Sequence, residues 1–245
     1  MSKPEIISMD VAGYHNKDLK ATKDRLYKGG SWKQQGVIQL IPTADTIPAK
    51  VVLSWLNLAA APNNAFVRKM MLGMEVGEAY SHAIEDILND PWLSKFPYIL
   101  CLEHDNAPPP DGLLKLLQDM EEHPEFHAIG GLYFTKYYGG VAQIWGDPKL
   151  GAINFMPQLP DPNGGLVECC GTGQGFTLFR LDMFKDTRLR RPWFVTQKGK
   201  DDKGNFGIST QDLYLWSDAR KYGYRCAIDC SIRVGHFDVA NDVMW

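Results

Sequence analysis

No apolar run in this chain approaches the roughly 20 residues that a membrane-crossing helix needs, so no span is expected. The start, Met1-Ser2-Lys3-Pro4-Glu5, lacks the apolar core of a secretory signal, and a cytoplasmic address is the default expectation. Cysteine is sparse: five residues, at 101, 169, 170, 226 and 230, with no C-x-x-C spacing. Adjacent Cys169 and Cys170 point to opposite faces of a strand. A zinc site built from them with Cys226, Cys230 and His236 is therefore not expected, and buried reduced thiols are. A positive excess is also missing. The net charge is −3 and the pI near 6.1, which argues against a protein whose main task is coating nucleic acid but leaves room for a local basic surface. Internal repeats, low-complexity tracts and a linker between independent domains are all absent.

The composition that remains, 44% apolar and 22% charged over 245 residues, suits one substantial core. Residues 1–35 are polar and irregular, with Lys17, Lys20, Lys23, Arg25, Lys28 and Lys33 scattered through them, and read as an N-terminal arm or peripheral segment. Residues 36–41 read as a first buried strand stopped by Pro42. A helix starts near Pro48, with Val51, Val52, Trp55, Leu56 and Leu58 on its apolar face. Val76, Ala79, Tyr80, Ala83, Ile84, Ile87 and Leu88 recur at helical spacing over residues 75–89. Residues 98–102 form a short apolar run, too short for a helix. Asp111 then caps a helix that buries Leu113, Leu114, Leu116, Leu117 and Met120, and residues 127–134 read as a strand. This order predicts an α/β fold with a mixed, mostly parallel sheet, helices on both faces and a single domain. Residues 137–170 read as loops and short strands, 173–180 as a strand, 195–209 as a mobile loop, 211–223 as a helix and 225–232 as a last strand.

The most informative stretch is Leu102-Glu103-His104-Asp105-Asn106, closing the 98–102 run and leading into Ala107-Pro108-Pro109-Pro110-Asp111. Three prolines forbid continuation of strand or helix, so two carboxylates and an imidazole are held at the carboxyl end of a core strand. Ligands bind there in open α/β sheets. Hard cations want carboxylate oxygens, and a cation so held can grip phosphates. These residues point to a metal-dependent enzyme acting on a phosphorylated small molecule.

The ordering of motifs resembles the GT-A glycosyltransferases of the family-2-like, nucleotide-sugar-dependent type, over residues 37–238. Carrying the resemblance are Glu103-His104-Asp105 with Pro109-Pro110-Asp111, the glycine turn Gly171-Thr172-Gly173-Gln174-Gly175-Phe176, Pro192-Trp193-Phe194, the helix start Gln211-Asp212-Leu213-Tyr214, and Gly235-His236 after the last strand. Two positions depart from the family pattern. Its metal motif usually opens with Asp where Glu103 stands, and its base motif usually carries Glu where Gln211 stands. The resemblance implies a GT-A, Rossmann-like catalytic domain over 36–245, with a nucleotide-binding half (36–136) and an acceptor-binding half (137–245).

It implies further that Asp105 and His236 hold Mn²⁺ or Mg²⁺, with Glu103 contacting the metal through water or the ribose. Asp212 would be the general base that takes the acceptor's proton in an inverting transfer. The donor would be a nucleoside-diphosphate sugar, with a UDP-sugar favoured, contacted by Pro42, Thr43, Asp45, Glu103, His104 and Lys136. Gly171 and Gly173 would let backbone approach the sugar closely, and Trp193 would stack on it. Between residues 185 and 203, seven Lys and Arg face three Asp. Such a segment is a solvated face by default and could also guide a polyanionic acceptor. Compact members of the family without membrane segments resemble phage-type transferases. A hydroxymethylated DNA base is therefore one expected acceptor and a glycan another. Two other readings stay open: a nucleotidyltransferase, which shares the acidic strand end but lacks its Gly-rich basic signature here, and a non-catalytic transferase-like binding module.

Overall fold

The short apolar runs become the buried strands of one sheet. The computed structural model describes residues 27, 30, 35–61, 65–135, 140–151, 153–200 and 206–245. Most of the 1–35 arm, and Lys136, lie outside the described residues. In chain order the main elements are β1 (Val37–Thr43), α1 (Ala49–Asn57), β2 (Phe66–Leu72), α2 (Val76–Asn89), β3 (Tyr98–Leu102), β4 (Asn106–Ala107), α3 (Gly112–Glu122) and β5 (Ala128–Leu132). They continue with β6 (Leu166–Cys169), β7 (Phe176–Arg180), α4 (Gln211–Ala219), β8 (Cys226–Arg233) and β9 (Gly235–Asp238).

Seven strands form the central sheet in the order β2-β1-β3-β7-β5-β8-β6. Five of them run in one direction, and β7 and β6 run against it. Helices α2 and α4 cover one face of the sheet and α1 and α3 the other. The protein is thus a mixed α/β single domain with a mostly parallel, Rossmann-like sheet. The periodicity of α3 is realised in full, since Leu113, Leu114, Leu116, Leu117 and Met120 are all completely buried. Each such side chain contributes about 1.5–3 kcal/mol of burial free energy.

Several expectations are corrected. Pro42 does not stop β1, which runs on to Thr43. The Thr43 carbonyl accepts from Gly73 on the β2 side. Pro42 therefore turns its nitrogen toward β3, where pairing has already ended at Leu40, and no ladder bond is lost. Strand β2 was not expected. It is the outermost strand, half exposed, and Arg68 and Lys69 break any clean alternation. Leu56 faces solvent at 79% exposure, whereas Val51 and Leu58 supply the buried face of that region. Residues 197–200 and 206–209, expected within a mobile loop, pair as an antiparallel hairpin. Asp111 takes the N-cap position of α3 without a side-chain capping bond and instead lies 3.6 Å from Lys115. All five cysteines are free and buried.

Candidate functional site

Strand β1 leads outward to β2, whereas the chain after β3 moves the other way to β5, so the crevice between the carboxyl ends of β1 and β3 is the topological switch point. A cavity of about 350 Å³ lies there, lined by Pro42, Thr43, Ala44, Met74, Val76, Glu103, His104, Asp105 and Gln211. That volume suits a small-molecule ligand. The chain makes this site from three strand or helix ends: β1 delivers Pro42 and Thr43, β3 delivers the acidic triplet, and α4 delivers Gln211.

The triplet is clamped by backbone bonds. Glu103 N–H donates to Gly175 O at 3.2 Å, and Asn106 N–H to Glu103 O at 3.0 Å. Strand β4 pairs with β9, setting His236 opposite Asn106, and Phe237 N–H donates to Asp105 O at 2.7 Å. That pairing brings His236 Nε2 to 3.3 Å from Asp105 Oδ2, so residues from opposite halves of the sequence meet. Among the described residues, Asp105 Oδ1 and His236 Nδ1 are buried without a hydrogen-bond partner, as is Thr43 Oγ1. Native proteins pair nearly all such groups, so three orphans at one crevice mark a place for a ligand. Gly175 has a steric reason to be glycine, because a Cβ there would lie 2.5–2.7 Å from the amide of Asn106.

Charge is distributed unevenly among the acids. Burial pushes the Glu103 carboxyl up to about 8, helped by the nearby charges of Asp105 and Asp212. Burial also works to raise Asp105. The hydrogen bond and charge of His236, with the charge of His104, outweigh it and hold this carboxyl below its ordinary value. Asp212 sits in the first turn of α4 at 6% exposure, and burial raises its carboxyl although Thr210 and the Leu213 N–H bond to it. Leu213 N–H donates to Asp212 Oδ1 at 2.8 Å.

The structure sorts the expected site residues into groups. Pro42, Thr43, Glu103, His104 and Asp105 line the cavity, and Asp105 meets His236. Gln211 Nε2 donates to Glu103 Oε1 at 3.4 Å. Among the described residues no group of three or more His, Cys, Asp and Glu is arranged to hold a metal ion. The donors present fit a cation held by Asp105 with His236, the rest of its shell coming from phosphate oxygens and water.

Asp45 is exposed, does not line the cavity and has φ +107. The two glycines and the tryptophan are corrected. Gly171 packs against α4, where a Cβ would come within 3.0 Å of Leu213, and a Cβ on Gly173 would overlap the Tyr133 hydroxyl. Trp193 is 1% exposed, edge-on to Phe184 in the core. The expected phosphate contact Lys136 falls outside the described residues.

Sequence reasoning missed Met74 and Val76, which line the cavity from the segment that enters α2. It also missed Tyr133, whose buried hydroxyl accepts from Gly175 N–H at 3.1 Å beneath the triplet. The signal for Met74 and Val76 is their place at the entry to the strongest helical period in the chain, which Val76 opens. Tyr133 carries no local signal. Two cations of the basic segment are ion-paired and a third is held by neutral groups. Lys185 pairs with Asp182 at 2.7 Å and Arg188 with Asp186 at 2.6 Å. Arg190 lies 3.6 Å over the Tyr214 ring and bonds to Ser217.

The fold is similar to the crystal structure of A197 from STIV, with a TM-score of 0.58 and 15% sequence identity. The match covers 86% of this chain and 93% of that chain, and at this identity the likeness is one of fold. No protein-family model matches the chain, and no curated protein matches it. No helix among the described residues is long and apolar enough to cross a membrane.

Proposed function

We propose that the protein is a metal-dependent glycosyltransferase of GT-A type, moving a sugar from a nucleoside diphosphate, with UDP favoured, to an acceptor hydroxyl. The observation that carries this reading is the meeting of Asp105 and His236, each with an unpartnered buried atom, at the rim of the cavity between β1 and β3.

Each residue then has a task. Thr43 Oγ1 offers a hydroxyl to the nucleoside from the end of β1, between the apolar Pro42 and Met74 that flank it. Glu103, steadied by Gln211 and largely uncharged near neutral pH, can both donate to and accept from a sugar or ribose hydroxyl without repelling the diphosphate. Asp105 with His236 would hold the divalent cation, which supplies Lewis-acid neutralisation of the departing diphosphate. Asp212 takes the acceptor's proton at a carboxylate oxygen. Burial raises its basicity toward the working pH, which is what a general base requires. One displacement assisted in this way inverts the anomeric carbon. The acceptor is taken to be a glycan, the ion pairs of Lys185 and Arg188 with Asp182 and Asp186 offsetting part of the positive charge of the basic segment.

Thermal unfolding with UDP and Mn²⁺ tests the proposal. UDP at about 100 times its Kd stabilises the protein by about 2.7 kcal/mol, provided the cation is present. The Asp105→Ala protein loses that response. Stabilisation with no sugar transfer and no donor hydrolysis would favour a binding module instead.

A further inference from the structure

A second cavity, of about 320 Å³, opens at the carboxyl ends of the parallel strands β5 and β8, lined by Leu132, Phe134, Arg233, Val234 and Trp245. It lies on the same edge of the sheet as the first crevice, where ligands of such sheets bind. Three observations mark it as a ligand site. A register shift between Asp229 and Arg233 breaks the β8 ladder, and bulges of this kind re-aim a side chain beside functional sites. The side chain that follows the shift, Arg233, is half buried and pairs with no carboxylate of the described residues. Two aromatic rings, Phe134 and Trp245, line the same cavity, and the buried Trp245 Nε1 donor has no partner among the described residues.

The cavity is tied to the candidate centre through the backbone. Trp245 N–H donates to His236 O at 2.9 Å, and His236 N–H donates to Trp245 O at 3.2 Å. His236 in turn reaches Asp105. The donor crevice, the Asp105–His236 pair and the aromatic cavity thus follow one another along the sheet edge.

We propose that this cavity is the acceptor subsite and that it takes a pyranose ring carrying an oxyanion, an identification that rests on the transferase reading above. Aromatic faces pack against the apolar C–H face of a sugar ring. An unpaired guanidinium selects a carboxylate or phosphate through two parallel N–H bonds. An apolar ligand would leave Arg233 unsatisfied, and a bare anion would make no use of the rings.

Saturation-transfer NMR on the full chain, without nucleotide or cation, tests this with glucuronate, glucose 6-phosphate and glucose as probes. At least one acidic sugar binds at least tenfold more tightly than glucose, and which of the two does so identifies carboxylate or phosphate as the anion. Arg233→Met brings the acidic sugars down to the level of glucose. Trp245→Ala abolishes transfer to the ring protons, and Trp245→Phe retains it. Circular dichroism checks folding, and Arg233→Met alone decides if Trp245→Ala does not fold. Equal binding of glucose, binding untouched by Arg233→Met, or no transfer to any of the three sugars overturns the proposal. A protein that responds to UDP and Mn²⁺ but binds no acidic sugar loses this subsite alone. One that binds the acidic sugar but ignores UDP with Mn²⁺ loses the donor reading alone.

Discussion

The two ends of the central sheet treat their polar groups differently. At the amino end of the parallel strands, charges are matched. Arg225 forms a two-pronged contact with Glu168, with bonds of 2.9 and 2.7 Å, and Tyr224 donates to Asp186 at 2.7 Å. Arg180 reaches the carbonyls of Phe126 and Met120 and the Tyr98 hydroxyl, tying the end of α3 to the start of β3. At the carboxyl end, Thr43, Asp105, Asn106 and His236 all keep buried atoms without partners. An orphaned buried polar group costs about 1–3 kcal/mol, so four such residues together at the carboxyl end concentrate that cost where a ligand can relieve it. One end contributes stability, and the other is where the proposed function places its ligands.

Changing residues at each end should separate those two properties. The largest effect is expected at Asp212. Asp212→Asn lowers turnover by about 10²–10⁴-fold while UDP affinity, read by thermal shift, stays within a factor of about two. Full activity in that variant would remove the base assignment. Arg180→Met, at the other end, strips bonds from three acceptors. It should cost about 2 kcal/mol, a drop of roughly 4–8 °C in Tm for a chain of this size, with no change in UDP affinity. A loss of affinity there would erase the contrast between the ends.

Glu103 gives the next test, in cation-free protein. Its folded-state carboxyl titrates near 8, above the unfolded value, so between about pH 5 and 8 the native state binds more protons than the unfolded chain. Stability therefore falls as pH rises through that window, and Glu103→Gln should flatten the decline seen in urea unfolding. An unchanged slope in the variant would show that Glu103 is not the group responsible. The smallest effect is at Thr43. Thr43→Val removes an orphaned hydroxyl while keeping shape, so stability holds or rises by up to about 1 kcal/mol and UDP binding weakens roughly fivefold. A clear loss of stability would mean that the hydroxyl already has a partner.

What could be read from the sequence follows from where each signal resides. Strand β3 and helix α3 carry their own pattern, an unbroken apolar run and a leucine period, and both sit where that pattern puts them. The edge strand β2 does not, because half its side chains face solvent and its residue order is set by exposure. Nor could the sequence reveal that β7 inserts antiparallel between β3 and β5, since pairing partners are chosen by the assembled sheet. The acidic triplet was legible because prolines fix its position at a strand end. Gly171, Gly173 and Trp193 were misplaced for a shared reason: in a sequence, glycine or tryptophan packed in a core looks the same as one facing a ligand. The contact between Gln211 and Glu103 joins the two positions that depart from the family pattern, and only the three-dimensional fold brings them together.

His236 lies on β9, which follows the last strand of the central sheet in the chain and is held by β4 on one side and residues 243–244 on the other. Asp105, placed by the central sheet, thus receives its imidazole from a segment outside that sheet. Under the proposed function, the cation site is therefore complete only once the segment beyond the central sheet has folded back against β4.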